Sequence, residues 1–148
     1  MSAVLEDTRR WFTKAVPAPT ERNVRVQFGV HLEEVLEMLN EVAVGDHTTM
    51  VLLDATRKNL ADLSKRLKTT PGLVLAFPDR VATLDAICDQ LVTATGLAHM
   101  MKMDPIGGLN SVNESNWSKF VDGEPQFDEN GKIQKGPNYY KPDLKSFA

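Results

Sequence analysis

An all-α fold is predicted here: a bundle of about five helices followed by a short β-hairpin tail. Three observations carry it. Apolar residues recur at three- and four-residue spacing in successive long stretches, the period of a helix and not of a strand. Proline, glycine, threonine and aspartate separate those stretches at helix-sized intervals. Residues 121–148 then change character, becoming rich in Gly, Pro, Asn and charge around an Asn130-Gly131 turn signal. The organisation expected is therefore a helical domain over 1–120 and a tail over 121–148.

A chain of 148 residues suits one domain with a sizeable core. With 17 basic and 20 acidic residues its formal charge is −3, which gives no electrostatic footprint for nucleic acid. The lone Cys88 reads as a small core residue and a sign of a reducing compartment, hence a cytoplasmic protein. No secretory leader is expected from MSAVLEDTRRW, and the longest apolar run contains Asp85, Asp89 and His99, so no membrane span is expected either.

The first helix is predicted over 2–15, with Val4, Trp11, Phe12 and Ala15 on roughly one side and Pro17 and Pro19 as its stop. Trp11 reads as a packing residue. Thr20 can cap the second helix, run from Glu21 to Val44 and ended by Gly45. Phe28, Leu32, Val35, Leu36, Leu39, Val42 and Ala43 form its apolar stripe. Glu33, Glu34, Glu37 and Glu41 lie on the other side, and no Lys or Arg after Arg25 compensates them within that helix. Two readings stand for this acidic face: a solvated surface, or a metal site in which Glu34 and Glu37 project together.

His47, Thr48 or Thr49 opens a third helix near Met50 to Lys68, with Leu52, Leu53, Leu60, Leu63 and Leu67 toward the core. Arg57, Lys58, Lys65, Arg66 and Lys68 make it the basic helix, a solvated face or a surface for an anionic ligand. Asp54 and Asp62 are lesser acidic candidates. Thr69-Thr70-Pro71-Gly72 breaks the chain. The fourth helix, Asp79 to Met103, is apolar or small nearly all round from Ala82 to Met101, which predicts a place inside the bundle. Yet Asp85 and Asp89 stand four residues apart on it, with Arg80 the nearest base. Buried carboxylates need a partner, a proton or a metal, and a divalent cation answers that need. A fifth helix follows from Pro105 to Phe120. The tail reads as a hairpin over Gln126–Gln134 that must lie against the bundle or a second subunit.

Glu33/Glu34/Glu37 and Asp85/Asp89 are thus the chemical signal. Hard oxygen donors on helices suit Mg²⁺ or Mn²⁺, and such an ion normally keeps positions for water and phosphate oxygens. The polyanion that fits is a nucleoside triphosphate. There is no P-loop sequence and no zinc-spaced His/Cys cluster, and His31, His47 and His99 are scattered. His99 reads as a core or cap residue, while His31 lines the site or is structural. Gln27, His31 and Trp117 are possible base contacts, with a structural role as the alternative for each.

These residues carry a resemblance. Glu33-Glu34-x-x-Glu37 followed by Asp85-x-x-x-Asp89 resembles the MazG-like branch of the all-α nucleotide pyrophosphohydrolases, a superfamily that includes phosphoribosyl-ATP pyrophosphohydrolases and dimeric dUTPases. Ser115-Asn116-Trp117-Ser118-Lys119 resembles the Ser-Asn-x-Ser-Lys segment after the apolar helix of such proteins. The tail from Asp128 through Lys132 and Lys135 to Tyr139 resembles the C-terminal extension of phage members, the MazZ type above all. The resemblance spans roughly 21–144. One departure stands out: many relatives have Glu three residues before the last Asp, where this chain has Ala86, with Asp85 shifted by about 100° around the helix.

The resemblance implies metal ligands Glu34, Glu37, Asp89 and Asp85, with Glu33 either a further ligand or the base that activates water. It implies phosphate contacts from Asn116 and Lys119, and Lys132, Lys135 and Tyr139 closing over the nucleotide. The implied reaction converts a (d)NTP to the (d)NMP and pyrophosphate with Mg²⁺ or Mn²⁺, purine deoxynucleotides such as dGTP favoured. The implied assembly is a homodimer or homotetramer in a cytoplasm, the host's if the protein is phage-encoded. Phosphoribosyl-ATP pyrophosphohydrolase activity, or a helical interaction module without activity, are the alternatives.

Overall fold

A computed structural model of the chain describes residues 3–129 and 131–148, so Asn130 of the expected tail turn lies outside the described residues. The described residues form five helices and no strand: α1 (Ala3–Ala15), α2 (Glu21–Asn40), α3 (His47–Thr69), α4 (Arg80–Met100) and α5 (Pro105–Trp117). The all-α expectation holds. The chain divides into two compact units, residues 18–76 and residues 1–17 with 77–148.

In the first unit α2 and α3 form an antiparallel helical hairpin. Thr20 opens α2 with a capping box, its side chain taking the Asn23 N–H while Asn23 reaches back to the cap backbone. Asp46 opens α3 by accepting the Thr49 N–H at 2.9 Å. The helices approach closely at Gly29, where a Cβ would stand 2.8 Å from Lys68 Cγ and 3.1 Å from the Ser64 carbonyl oxygen. Ser64 donates its hydroxyl hydrogen to the Gly29 carbonyl at 2.8 Å. Each helix also caps the other. The buried Arg25 guanidinium donates to the Leu67 carbonyl at the end of α3. Arg57 of α3 donates to the Leu39 carbonyl at 2.6 Å and the Val42 carbonyl at 2.8 Å. α2 has no basic residue in its own last turn, so this borrowed cation sits where the helix dipole favours it. That capture ends α2 at Asn40 instead of the expected Val44.

The buried face of α2 is Arg25, Val26 and Gly29, with Phe28, Leu32, Val35, Leu36 and Leu39 half-buried. Val42 and Ala43 are exposed because the helix has already ended. On α3 only Ser64 and Leu67 are buried. Leu52 and Leu63, expected in the core, are exposed, since a two-helix hairpin covers one narrow stripe of each helix.

In the second unit α1 packs on α5 around Trp11, Ala15 and Phe120, joined by Val16, Trp117 and Ile133. Trp11 is a packing residue as expected, stacked on Phe120 with ring centroids 5.7 Å apart. Phe12, expected on the same side, is exposed. The one-sided reading of α1 is therefore narrower than it looked: Trp11 and Ala15 alone are buried. Asn113 ties the pair polarly, donating to the Val4 carbonyl at 2.9 Å and accepting from the Thr8 hydroxyl at 2.9 Å.

The tail is knitted to α5. Ser115 donates to the Tyr140 carbonyl, Ser111 to the Asp143 carbonyl, and the Asp104 N–H to the Phe147 carbonyl. Phe147 lies over the start of α5, where a Cβ at Gly107 would stand 2.5 Å from its ring. The expected hairpin is reduced to one isolated antiparallel bridge, Phe127 with Ile133. A turn missed in the sequence sits just before it: Asp122-Gly123, both at positive φ, closes a second bridge between Val121 and Glu124.

The fourth helix departs most from expectation. It was expected inside a bundle, but no residue of α4 is buried. Val81 is 81 % exposed, Val92 68 % and Met100 79 %. Cys88, expected in the core, is exposed with them. His99, expected as a core or cap residue, is exposed in the last turn. Apolar composition alone therefore does not place a helix in the core of its own chain. No described helix is long and apolar enough to cross a membrane.

Candidate functional site

The acidic residues of α2 separate into two kinds. Glu33 is half-buried and takes the Lys68 ammonium of α3 at 2.7 Å. Glu34 and Glu37 are exposed on the same helix. Three residues on an α-helix turn the second side chain about 60° from the first, so these two carboxylates share a face. The sequence offered no Lys or Arg after Arg25 within α2 to offset the acids; the structure brings one from α3. The signal that could have found it is charge complementarity between two helices joined by a short loop, acidic α2 against basic α3.

Asp85 and Asp89 stand on α4, in the other unit, both exposed. Four residues place them about 40° apart around the helix. Gly96 continues their face, and a Cβ there would meet nothing within 4 Å. Threonine hydroxyls nearby turn back on the helix: Thr93 donates to the Asp89 carbonyl at 2.8 Å. Among the lesser acidic candidates, Asp54 pairs with Arg57 at 3.1 Å and Asp62 with Lys58 at 2.6 Å. The Lys58 ammonium holds the Asp62 carboxyl below its ordinary pKa, and is itself raised by the pairing. Both acids therefore serve exposed helix pairs.

Among the described residues no three His, Cys, Asp or Glu side chains stand together in a way that would hold one ion. Two carboxylates are nonetheless an ordinary protein contribution to a Mg²⁺ ion, whose remaining positions go to waters and phosphate oxygens. By donor chemistry Glu34 with Glu37, and Asp85 with Asp89, are the pairs that fit such an ion. Glu33 fits less well while its oxygen is committed to Lys68.

The downstream candidates make contacts within the chain. Lys119 donates to the Asn116 side-chain oxygen at 2.6 Å and its ammonium lies 5.9 Å from the Trp11 ring centroid. The Asn116 carbonyl accepts the Trp11 indole N–H at 3.0 Å. Ser118 is held between the Ser115 carbonyl and the Tyr140 N–H. Trp117, a possible base contact by sequence, donates its indole N–H to Asp7 at 3.0 Å. The Ser115–Lys119 segment thus pins the tail to α1 and α5. In the tail, the Lys132 N–H bonds the Asp128 carboxylate at 2.8 Å, and the Lys135 ammonium sits 4.7 Å from the Tyr139 ring centroid. Lys132 and Lys135 are exposed and Tyr139 is half-buried.

One surface was not anticipated. A shallow cavity of about 460 Å³ is lined by Arg9, Arg10, Thr13, Lys14 and Trp117. Its cations are already partnered: Arg9 with Glu6 at 2.5 Å, Arg10 with Asp7 at 3.9 Å, Lys14 with Glu124 at 2.5 Å. Arg9 and Glu6 move each other's pKa apart, the arginine up and the carboxyl down. Basic spacing in α1 was the available signal for it.

No family model matches the sequence, and neither a curated protein nor a solved structure matches it.

Proposed function

We propose that the chain is a Mg²⁺- or Mn²⁺-dependent nucleoside triphosphate pyrophosphohydrolase of the MazG-like kind, with purine deoxynucleotides such as dGTP favoured. The observation that carries the reading is the pair of exposed helical carboxylate couples, Glu34/Glu37 on α2 and Asp85/Asp89 on α4. The Ser115–Lys119 segment and the Lys132–Tyr139 tail support it by resemblance, and assembly of two or four copies is part of the same proposal.

The reaction needs water to attack the α-phosphorus of the nucleotide. A new P–O bond forms to that water, the bond from the α-phosphorus to the α–β bridging oxygen breaks, and pyrophosphate leaves with the electron pair. The water's proton passes to a carboxylate. Glu37 is assigned that role ahead of Glu33, because the Glu33 carboxylate is bonded to Lys68. A divalent cation bound by the carboxylates would supply charge neutralisation on the phosphates and a more acidic water. Lys119, Lys132 and Lys135 supply positive charge for the phosphates. Phosphoribosyl-ATP pyrophosphohydrolase activity breaks the same kind of bond and stands second, because the tail departs from that type. The interaction-module reading draws on a different observation, the exposed apolar surface of α4.

The test is a panel of NTPs and dNTPs incubated with Mg²⁺ or Mn²⁺, with products separated by chromatography. Monophosphate plus pyrophosphate is expected, with dGTP among the best substrates. Diphosphate plus orthophosphate contradicts the assignment. Glu37→Gln is expected to lower turnover by about 100-fold or more while leaving the helical circular dichroism unchanged. Full activity in that variant removes Glu37 from the reaction.

A further inference from the structure

The shallow cavity between α1 and α5 takes no part in the hydrolysis proposed above, and both helices belong to one compact unit. Arg9, Arg10, Thr13 and Lys14 line it from α1. At about 100° per residue they span a stripe about 140° wide, beside the buried Trp11 and Ala15. Trp117 of α5 forms the aromatic wall. Three cations therefore converge on one tryptophan.

The tryptophan is fixed, and the central cation is held loosely. Asp7 accepts the Trp117 indole N–H at 3.0 Å, and Phe120 meets the indole at 78°. The other Asp7 oxygen stands 3.9 Å from Arg10 Nη1, beyond hydrogen-bond reach. The Arg10 side chain is 66 % exposed, so its planar fork of N–H donors is open to a ligand. Arg9 and Lys14 flank it, paired with Glu6 and Glu124. Those pairs join flexible side chains in water and hold each other weakly. A ligand that makes charge-assisted hydrogen bonds to several of these cations at once can displace them.

The lining defines the ligand. A guanidinium fork takes two oxygens of one phosphate or carboxylate. Two further cations favour the more highly charged group, and a phosphate monoester carries about −1.5 to −2 at neutral pH. The cavity, about 460 Å³, is far larger than a phosphate alone and has the size of a small-molecule site, roughly 300–1,000 Å³. Trp117 suits the remainder of such a ligand if that remainder is a flat ring, which can stack on the indole.

We propose that the α1–α5 cavity binds a small phosphate monoester of an aromatic or heteroaromatic ring, with Arg10 gripping the phosphate, Arg9 and Lys14 neutralising it, and the ring lying on Trp117. Such binding uses neither carboxylate couple and needs no divalent cation, so it stands or falls separately from the hydrolysis.

The test titrates the full chain with phenyl phosphate in EDTA and follows tryptophan fluorescence. Trp117 is half-buried at the cavity, whereas Trp11 is 8 % exposed in the core. A saturable change is expected, reversed by excess inorganic phosphate and absent in Trp117→Phe. Arg10→Met should weaken binding about tenfold or more with unchanged helical circular dichroism. Arg10→Lys, which keeps the charge and loses the fork, should fall between the two. No saturable change up to about 10 mM, or undiminished binding in Arg10→Met, overturns the site. Equal binding of benzyl alcohol shows that the ring alone is recognised, and equal binding of benzoate that any monoanion suffices; either result overturns the phosphate assignment.

Discussion

The α2–α3 hairpin and α4 solve the same problem in opposite ways. Each helix of the hairpin meets the other's needs: Gly29 admits the close approach, Lys68 neutralises Glu33, and Arg25 and Arg57 close the carbonyl ends of the opposite helices. Its two helices are polar enough to stand in water on their outer sides. α4 has the most apolar sequence of the three, yet its own chain fully buries none of its residues. Hydrophobic content alone therefore ranks the helices in the wrong order for burial. Mutual capping and close approach rank them correctly, because those depend on where a partner helix lies.

The largest effect should come from comparing one leucine in each region. Leu67 is 2 % exposed, and Leu67→Ala is expected to cost about 2–5 kcal/mol in urea unfolding. Leu91 is 50 % exposed, and Leu91→Ala should shift the unfolding of dilute protein by no more than about 0.5 kcal/mol. Equal costs at both positions would erase the contrast between the regions.

The hairpin can be pried open at Gly29. A valine there would put its Cβ against Lys68 Cγ, Leu67 Cβ and the Ser64 carbonyl, the last of which is backbone and yields little. Overpacking of this kind costs about 1–3 kcal/mol. The matching control is Gly96 in α4, where a Cβ meets open space. Gly96→Ala should be neutral or stabilising by up to about 1 kcal/mol through helix propensity. A smaller loss is expected from Arg57→Met. It removes the hydrogen bonds to the Leu39 and Val42 carbonyls and the cation at the end of α2, worth about 1–2 kcal/mol. Thermal unfolding of the three variants side by side checks the order.

The same contrast explains what was legible in the sequence. All five helices were, because caps and period are local: Thr20, Asp79 and Asp104-Pro105 mark helix starts by their own chemistry. The end of α2 was not, because the group that terminates it is Arg57, fifteen residues beyond Val42. Glu33 read as part of an acidic face for the same reason, its partner lying thirty-five residues away. Of the candidate site, the sharing of a face by Glu34 and Glu37, and by Asp85 and Asp89, follows from spacing alone. The binding of Ser115 and Asn116 to the tail and to Trp11 required the fold. For α4 the helix was right and the inference of burial was wrong, since apolar composition describes one chain's helix and is silent on its neighbours.

The finest test concerns the helix starts, which both regions build in the same way. Asp46 and Asp79 both cap with a carboxylate, accepting the Thr49 and Ala82 N–H groups, each at 2.9 Å. The Asp46 carboxyl is held below its ordinary value of 3.8, chiefly by the hydrogen bond from the Thr49 side chain and then by the Thr49 backbone. A carboxyl whose pKa is lower in the folded chain binds protons less readily there than when unfolded. Its contribution is thus complete above pH 3.8 and is lost as the pH falls through the lowered folded value. Amide hydrogen exchange at Thr48 and Thr49 should accelerate over that acid range, beyond the intrinsic pH dependence of exchange, while Leu67 near the other end of α3 stays protected. Asp46→Asn retains a capping oxygen without the charge. It should keep the protection at neutral pH and abolish its acid dependence; acid-induced opening that persists in this variant would place the titrating group elsewhere.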